Sequence, residues 1–536
     1  MGSGRLERAG LSDREATQTG LDAPRLAVDA PQPRRPRVPF LLQIPDVLAG
    51  LSVAIVLVPQ SLAYAQLAGF PAYRGLYAAA IPPLVAAPLA SSSYLQPGPT
   101  AVTALLTYSA LAPLAPLGSR SYIELGLLLA LLVGLIRVAV GFLRAGVLAY
   151  LMSQPLLIGF MPAAAILIIA SQLPVALGTH GHGRNDLYRA GWSLAHAGDW
   201  RLSAILIAVL VSVMILFGKR VHPLFPGVLV AVITMILYSK FVGYNGAKLG
   251  TIHAGFPPIT RSLPFSKLPQ LVVPAFVIAL LGFAEASSIA RTYAALERKR
   301  WDPNREFISQ GVANLAAGMF GGFPVGASFS RSALNKLAGA KTNMSGLVTG
   351  LAVLAFLPLG FLLGPLPQSL LAAAVIVAVI PLIRIDRIVG IARLSRIQLT
   401  VTLAAFVLTL ALAPDVEWAI IAAIGLSVAI HLWRELRIDL GATSRGSQLE
   451  LAPEGVLWFG TARSLEDRFL ELLAEYPDTE RLILRLDRLG RIDLTGALAL
   501  KSLIDDARGA GLSVTVEGSP SHAARVLRRV LKDDSI

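Results

Sequence analysis

Three stretches of this sequence contain no Asp, Glu, Lys or Arg: between Arg74 and Arg120, between Arg144 and Arg184, and between Lys341 and Arg384. A helix needs roughly 20 apolar residues to cross a bilayer, so each stretch has room for two crossings. The 536 residues are 54% hydrophobic and only 15% charged, against about 25% charged in soluble proteins. A net charge of +14 could suit a nucleic-acid partner, but in a membrane protein excess Lys and Arg belong to cytoplasmic loops, and no nucleic acid is expected. Cysteine is absent, which removes disulfides, thiolate metal sites and a cysteine nucleophile. The closest histidine pair, His180 and His182, falls in a Gly-rich loop, so no metal is expected. Without a catalytic dyad or phosphate loop, neither an enzyme nor a bound cofactor is expected.

Apolar segments recur at 45–69, 75–92, 98–117, 122–143, 146–178, 202–218 and 224–241, then at 270–290, 307–322, 328–340, 344–364, 366–383, 397–413 and 416–434. Two sets of seven predict an α-helical polytopic membrane protein of fourteen spans, because an odd-numbered unit inverts when it is duplicated. With a cytoplasmic N-terminus, basic residues should lie before span one and after the even-numbered spans. Arg34, Arg35 and Arg37, then Arg144, Arg220, Arg291 and Arg384 comply. No basic residue follows span two, and Lys240, Lys248, Arg261 and Lys267 sit on the nominally external side. The expected location is therefore a cell inner membrane, multi-pass, with both termini cytoplasmic.

Residues 1–40 are polar, rich in Pro and Arg and without the apolar core of a signal peptide, which predicts a disordered cytoplasmic tail. Residues 41–437 form the predicted transporter domain. From 447 to 536, strands such as RLILRLDRL alternate with amphipathic helices such as SLEDRFLELLAEY, which predicts a small cytoplasmic α/β domain.

Three places break the apolar pattern. In span one, VPQSLAYAQLAG puts Pro59, Gln60, Ser61 and Tyr64 near mid-membrane depth; a proline kink satisfied by a neighbouring helix would also account for them. In LQPGPTAVTALL, Pro99 and Thr100 open an apolar run, as in a helix that starts inside the membrane and turns a positive dipole end toward an anion. A short loop between two ordinary spans is the alternative. In GGFPVGASFSRSALN, glycines and Pro324 precede Ser328, Phe329, Ser330 and Arg331. This is the third span of its set, as the previous break is of the first, so two half-helix N-termini could face each other; a cytoplasmic loop with an ordinary serine cap is again the alternative. Glu285, in GFAEASSIA, is an acid well inside a span. It must be protonated, paired or facing a wet cavity, which fits proton coupling as well as a structural pairing with Arg331.

PQSLAYAQLAG followed by GLYAA, then QPGPTAV, GFAEASSIA, and FPVGASFSRSALN followed by GLVTG, together resemble a bacterial member of the SulP family, relatives of the mammalian multifunctional anion exchangers and prestin. The resemblance runs from about Asp46 onward and implies two inverted seven-span repeats. These would form a core domain of spans one to four and eight to eleven, and a gate domain of the others. It places the anion between the starts of half-helices three and ten, beside Gln60, Tyr64, Thr100, Ser328, Phe329, Ser330 and Arg331, with Glu285 on the same cavity. It also implies elevator-like movement of core against gate. Many relatives carry Ser-Ser-Arg before span three, whereas this chain has Ser93 in the place of that Arg, so the substrates of the better-known exchangers are not carried over. The tail resembles a STAS domain, in which Thr495, after Asp493, stands where related antagonists are phosphorylated; an unmodified helix cap is the simpler expectation.

The expected function is secondary transport of a small inorganic or organic anion (sulfate, bicarbonate or dicarboxylate class), coupled to a proton. The expected partners are membrane lipid, a second protomer in a homodimer, and a cytoplasmic partner of the STAS domain. The alternatives are a passive anion channel or uncoupled exchanger, a nucleobase permease, which SFSRSALN argues against, and a membrane-tethered receptor signalling through the tail.

Overall fold

The computed structural model describes residues 42–518, apart from 184, 223–224, 251, 253–254 and 261, and residues 524–531. The expected tail at 1–40, with Arg34, Arg35 and Arg37, and the loop residue Arg261 lie outside the described residues. The membrane part runs as helices α1 (Ile44–Leu67), α2 (Tyr73–Ala86), α3 (Ala101–Leu111), α4 (Arg120–Phe142), α5 (Gln154–Leu177), α6 (Asp186–Ala195), α7 (Leu202–Val221) and α8 (Gly227–Tyr238). It continues with α9 (Leu268–Leu296), α10 (Pro303–Met319), α11 (Phe329–Leu337), α12 (Met344–Phe356), α13 (Gln368–Val379), α14 (Ile385–Leu394), α15 (Arg396–Ala411) and α16 (Val416–Glu435). Two-residue strands, β1 (Pro97–Gly98) and β2 (Gly326–Ala327), precede α3 and α11.

Every one of the fourteen apolar segments holds a helix, and the helices unforeseen in sequence are α6 and α14, whose polar-faced sequences DLYRAGWSLA and IDRIVGIARL lie between spans. Among the described residues, seven helical segments are long and apolar enough to cross a bilayer unaided, and α3, at eleven residues, is not among them. Pro45 opens α1, where a missing N–H costs nothing, and Ser119 and Ser153 cap α4 and α5 through their hydroxyls.

The helices pack as two groups. α1 to α4 pack with α9 to α12, while α5, α7 and α8 pack with α13 and α15, and α15 with α16. Lipid offers helices no hydrophobic reason to associate, so close backbone approach through small residues must supply the attraction. The α4–α10 contact shows this: a β-carbon on Gly134 would lie 2.6 Å from the Leu315 nitrogen, and one on Gly311 only 2.9 Å from the Gly134 oxygen.

Buried acids at the helix starts are consumed by loops. Asp46 accepts the backbone N–H groups of Lys341 (2.7 Å) and Thr342 (2.9 Å), and Glu306 accepts those of Ser91 (3.0 Å) and Ser92 (2.9 Å). Glu285 is half-buried and differs from these acids in lying far along its helix rather than in a first turn.

The C-terminal domain is a sheet of β3 (Asp439–Arg445), β4 (Gln448–Leu457), β5 (Arg481–Arg485), β6 (Leu489–Ile492) and β7 (Ser513–Glu517), with α17 (Phe459–Glu475), α18 (Leu494–Gly509) and α19 (Ala524–Leu531). The strand order is β3-β4-β5-β7, with β6 also on β4. β3 pairs antiparallel with β4, so the sheet takes in a strand ahead of residue 447. Leu449, Leu451, Leu482 and Leu484 enter its core beside Leu465, Phe469 and Leu500. The Trp458 indole donates to the Glu435 carbonyl (3.1 Å), tying this domain to the end of α16.

Candidate functional site

The two chain breaks meet. β1 pairs antiparallel with β2, Pro97 opposite Ala327 and Gly98 opposite Gly326, so α3 and α11 start on either side of this bridge. Thr100 caps α3, its hydroxyl 3.3 Å from the Thr103 nitrogen, and Ser328 caps α11 through the Arg331 nitrogen (3.5 Å). The other N–H groups of each first turn are the unsatisfied donors that make helix N-termini receptive to anions.

The motif residues hold this geometry. The Gln96 nitrogen donates to Ser332 Oγ (3.2 Å), and Asn335 donates to the Tyr94 carbonyl (3.2 Å) and to Ser345 Oγ (2.9 Å), so α11 grips the segment before β1. From α10, the Asn314 amide takes the Val325 N–H (2.9 Å) and donates to its carbonyl (3.0 Å), which fixes the approach to β2.

Arg331 is 1% exposed; its Nη1 donates to the Pro99 carbonyl (2.7 Å), while Nε and Nη2 are buried without a hydrogen-bond partner. An unpartnered buried donor is costly, so a guanidinium with two of them is poised for an acceptor. Glu285 lines a cavity of about 370 Å³ with Val102, Phe329, Ser288, Gln154, Arg384 and Arg387. It makes no ion pair within 4 Å among the described residues, so the structural pairing with Arg331 is not formed, although Arg331 and Arg137 supply the fields that act on it.

Gln60 and Ser330 line a different cavity of about 150 Å³, between α1 and α11 on one side and α7, α8 and α13 on the other. Gln60 Oε1 is buried without a partner, so a neighbouring helix does not satisfy it. Tyr64 is 6% exposed and lies within the fields of Arg331 and Glu285. The predicted residues therefore divide: Thr100, Ser328 and Arg331 build the junction, Phe329 and Glu285 face the larger cavity, and Gln60 and Ser330 face the smaller.

Sequence reading passed over Arg137, whose guanidinium is wholly buried between α4 and α9. A lone Arg inside LLVGLIRVAVG was a sufficient signal, since an intramembrane charge marks function by default. At the site of the missing Arg, Ser93 is followed by Tyr94, whose hydroxyl donates to Glu297; Lys336 lies 5.2 Å from the Tyr94 ring and 4.8 Å from that of Tyr293. Lys336 also pairs with Glu297 at 3.8 Å. Burial works against ionisation of the Glu297 carboxyl, but hydrogen bonds from Lys299 and Tyr94 hold it below the usual carboxylate range. In the C-terminal domain, Asp493 caps α18 through the Gly496 nitrogen (2.7 Å), and Thr495 is exposed in the first turn.

A family model described as the sulfate permease family matches residues 44–405, and one for the STAS domain matches residues 442–536. A probable sulfate transporter of Mycobacterium tuberculosis is 36% identical over 391 residues, covering 72% of this chain and 69% of that protein. The sodium-independent sulfate anion transporter of Bos taurus is 29% identical over 540 residues, covering 91% and 87%. The solved structure of the murine solute carrier 26 family member A9, in an inward-facing state, superposes with a TM-score of 0.83 at 21% identity, over 91% of this chain and 87% of that one. The transmembrane domain of the cyanobacterial bicarbonate transporter BicA gives 0.62 at 22% identity, over 71% and 97%. These likenesses establish a helical membrane-transporter fold, and the chain belongs to the sulfate permease family, a family of transporters rather than enzymes, with a STAS domain at its C-terminal end.

Proposed function

We propose that this protein is a secondary active transporter of small anions, sulfate foremost, coupled to protons through Glu285. The anion lies between the N-termini of α3 and α11. The observation that carries the reading is the β1–β2 bridge, which joins two half-helix starts beside a buried guanidinium with two unpartnered N–H groups. Sulfate is favoured because the mycobacterial and bovine relatives are named for it; a bicarbonate or dicarboxylate substrate belongs to the same proposal. A proton is favoured over sodium because the bovine relative is named sodium-independent and Glu285 faces the cavity unpaired.

Fourteen spans in two inverted repeats form part of this reading. Two placements support it: the half-helices are each third in their set, and the amphipathic helices α6 and α14 each follow the fifth. The core group, α1 to α4 with α9 to α12, would move against the gate as an elevator. The larger cavity reaches Arg384 and Arg387, which the charge rule puts on the cytoplasmic side, so this conformation is inward-open. We further propose a domain division near residue 437, an inner-membrane location with cytoplasmic termini, a homodimer, a cytoplasmic partner for the STAS domain, and an unmodified Thr495.

Thr100→Val tests the junction. It removes a hydroxyl that stands between the two helix starts; a hydrogen bond from it to the anion is worth about 1 kcal/mol, so sulfate binding should weaken roughly fivefold, read by isothermal titration of the purified chain. An unchanged affinity would move the anion elsewhere. The uncoupled alternatives are tested by the same preparation in liposomes: sulfate flux that ignores an imposed proton gradient would favour an exchanger or channel.

A further inference from the structure

Proton coupling through Glu285 leaves one buried charge without a role. Arg137 is 0% exposed, and its guanidinium donates only to neutral acceptors: Nε to Ala279 O (3.1 Å), Nη2 to Ile278 O (3.1 Å) and Nη1 to Val325 O (3.2 Å). It fits because Gly282 leaves the space; a β-carbon there would lie 2.3 Å from Nη2. Arg331 likewise donates to a carbonyl, that of Pro99. Neither guanidinium has a carboxylate within 4 Å among the described residues, and an arginine does not give up its proton in a protein. Two fixed cations and one cavity-facing acid, Glu285, therefore share the core beside the anion path.

The other groups around Glu285 do not alter this count. On its own helix, Arg291 is exposed and donates to Ser287 O, and Lys267 stands at the far end. α3 and β2, which pack on α9, carry no Asp, Glu, Lys or Arg. α10 and α16 bring Glu306, which accepts from Ser91 and Ser92, and Glu417, which accepts from Ser109. α1 brings the neutral Tyr64. Arg384 and Arg387 line the cavity mouth, but their side chains are 54% and 58% exposed and share Asp386, so solvent screens them.

The core thus carries +1 when Glu285 is ionised and +2 when it is protonated. Net charge at mid-membrane depth is expensive, so the favoured loaded core is the neutral one. A monovalent anion achieves neutrality with Glu285 ionised; a divalent anion achieves it only when a proton enters with it.

We propose that Arg137 sets the resting charge of the core, so that a divalent anion is carried with one proton and a monovalent anion with none. This rests on the assignment of Glu285 as the proton carrier. Arg137 acts here as a positioning charge, through its field and not by touching the anion.

The test uses the full chain in liposomes containing a pH dye, with labelled sulfate, chloride and nitrate. In the wild type, sulfate uptake should acidify the lumen by one proton per anion, and chloride or nitrate uptake by none. In Arg137→Gln the core loses one charge. Sulfate uptake should then fall about tenfold or more, while chloride or nitrate uptake should acquire a proton. Arg137→Lys should restore the wild-type pattern.

Undiminished sulfate uptake in Arg137→Gln would overturn the proposal, as would chloride and nitrate still entering it without a proton, or equal loss of all three anions in a folded variant. If the glutamine variant does not fold, the wild type still decides. Chloride or nitrate entering with a proton, or neither being carried, contradicts the charge balance, whereas sulfate entering without any proton contradicts the assignment of Glu285 itself.

Discussion

Glu285→Gln should abolish gradient-driven accumulation of sulfate while leaving downhill exchange intact. The glutamine keeps the size and polarity of a protonated acid, so the cavity lined by Val102, Phe329 and Ser288 should keep its shape. What is lost is the ability to release the proton. With one proton per anion and an inward gradient of one pH unit, coupling contributes roughly a factor of ten to the accumulation ratio. The variant should bring that factor to one, measured as labelled sulfate retained by proteoliposomes with and without the gradient. An accumulation ratio unchanged from wild type would show that Glu285 is structural.

Gly75→Val should prevent a stable membrane domain from forming. A β-carbon at this position would lie 1.9 Å from the Ser61 carbonyl oxygen and 2.4 Å from its carbon. Those are backbone atoms of α1 between Gln60 and Tyr64, and they cannot yield as a side-chain end could. Overpacking a tight core costs about 1–3 kcal/mol and more when backbone must shift, so the loss should sit at or above the top of that range. The expected outcome is a fall in the thermal midpoint of the purified protein, or failure to recover monodisperse protein in detergent. A variant as stable as wild type would mean that α1 and α2 do not pack as described. The GLYAA segment following span one thus reflects a packing demand next to the site, where Gly75 brings α2 against the residues that face the anion path.

The sequence exposed much of this architecture because charge is so costly in a bilayer. Uncharged runs marked the apolar helices, and the Pro and Gly residues around Pro97 and Pro324 marked where the chain breaks before α3 and α11. It could not show that Pro97 would pair with Ala327, because that register is set by distant groups such as Asn314 holding Val325 and Ser332 holding Gln96. α6 and α14 were missed because their polar faces interrupt the apolar signal that marks a span. β3 was missed for the opposite reason. In DLGATSR only Leu440 is buried, so there was no apolar alternation to see. Arg137 was plainly visible as a charge inside an apolar run, and only its carbonyl partners on α9 were beyond the sequence. The division of Gln60 and Glu285 between two cavities was also beyond it, since each faces its cavity only through the way α1 and α9 pack against the opposite helix group.

The most direct measurement is the position of a bound substrate analogue. Crystals of the full chain soaked in selenate, a sulfate isostere with anomalous signal, should show a peak between the first turns of α3 and α11, within hydrogen-bonding reach of the Thr100 and Ser328 ends. A peak confined to the cavity mouth at Arg384 and Arg387, with the junction empty at saturating selenate, would contradict the half-helix site and the transport reading built on it.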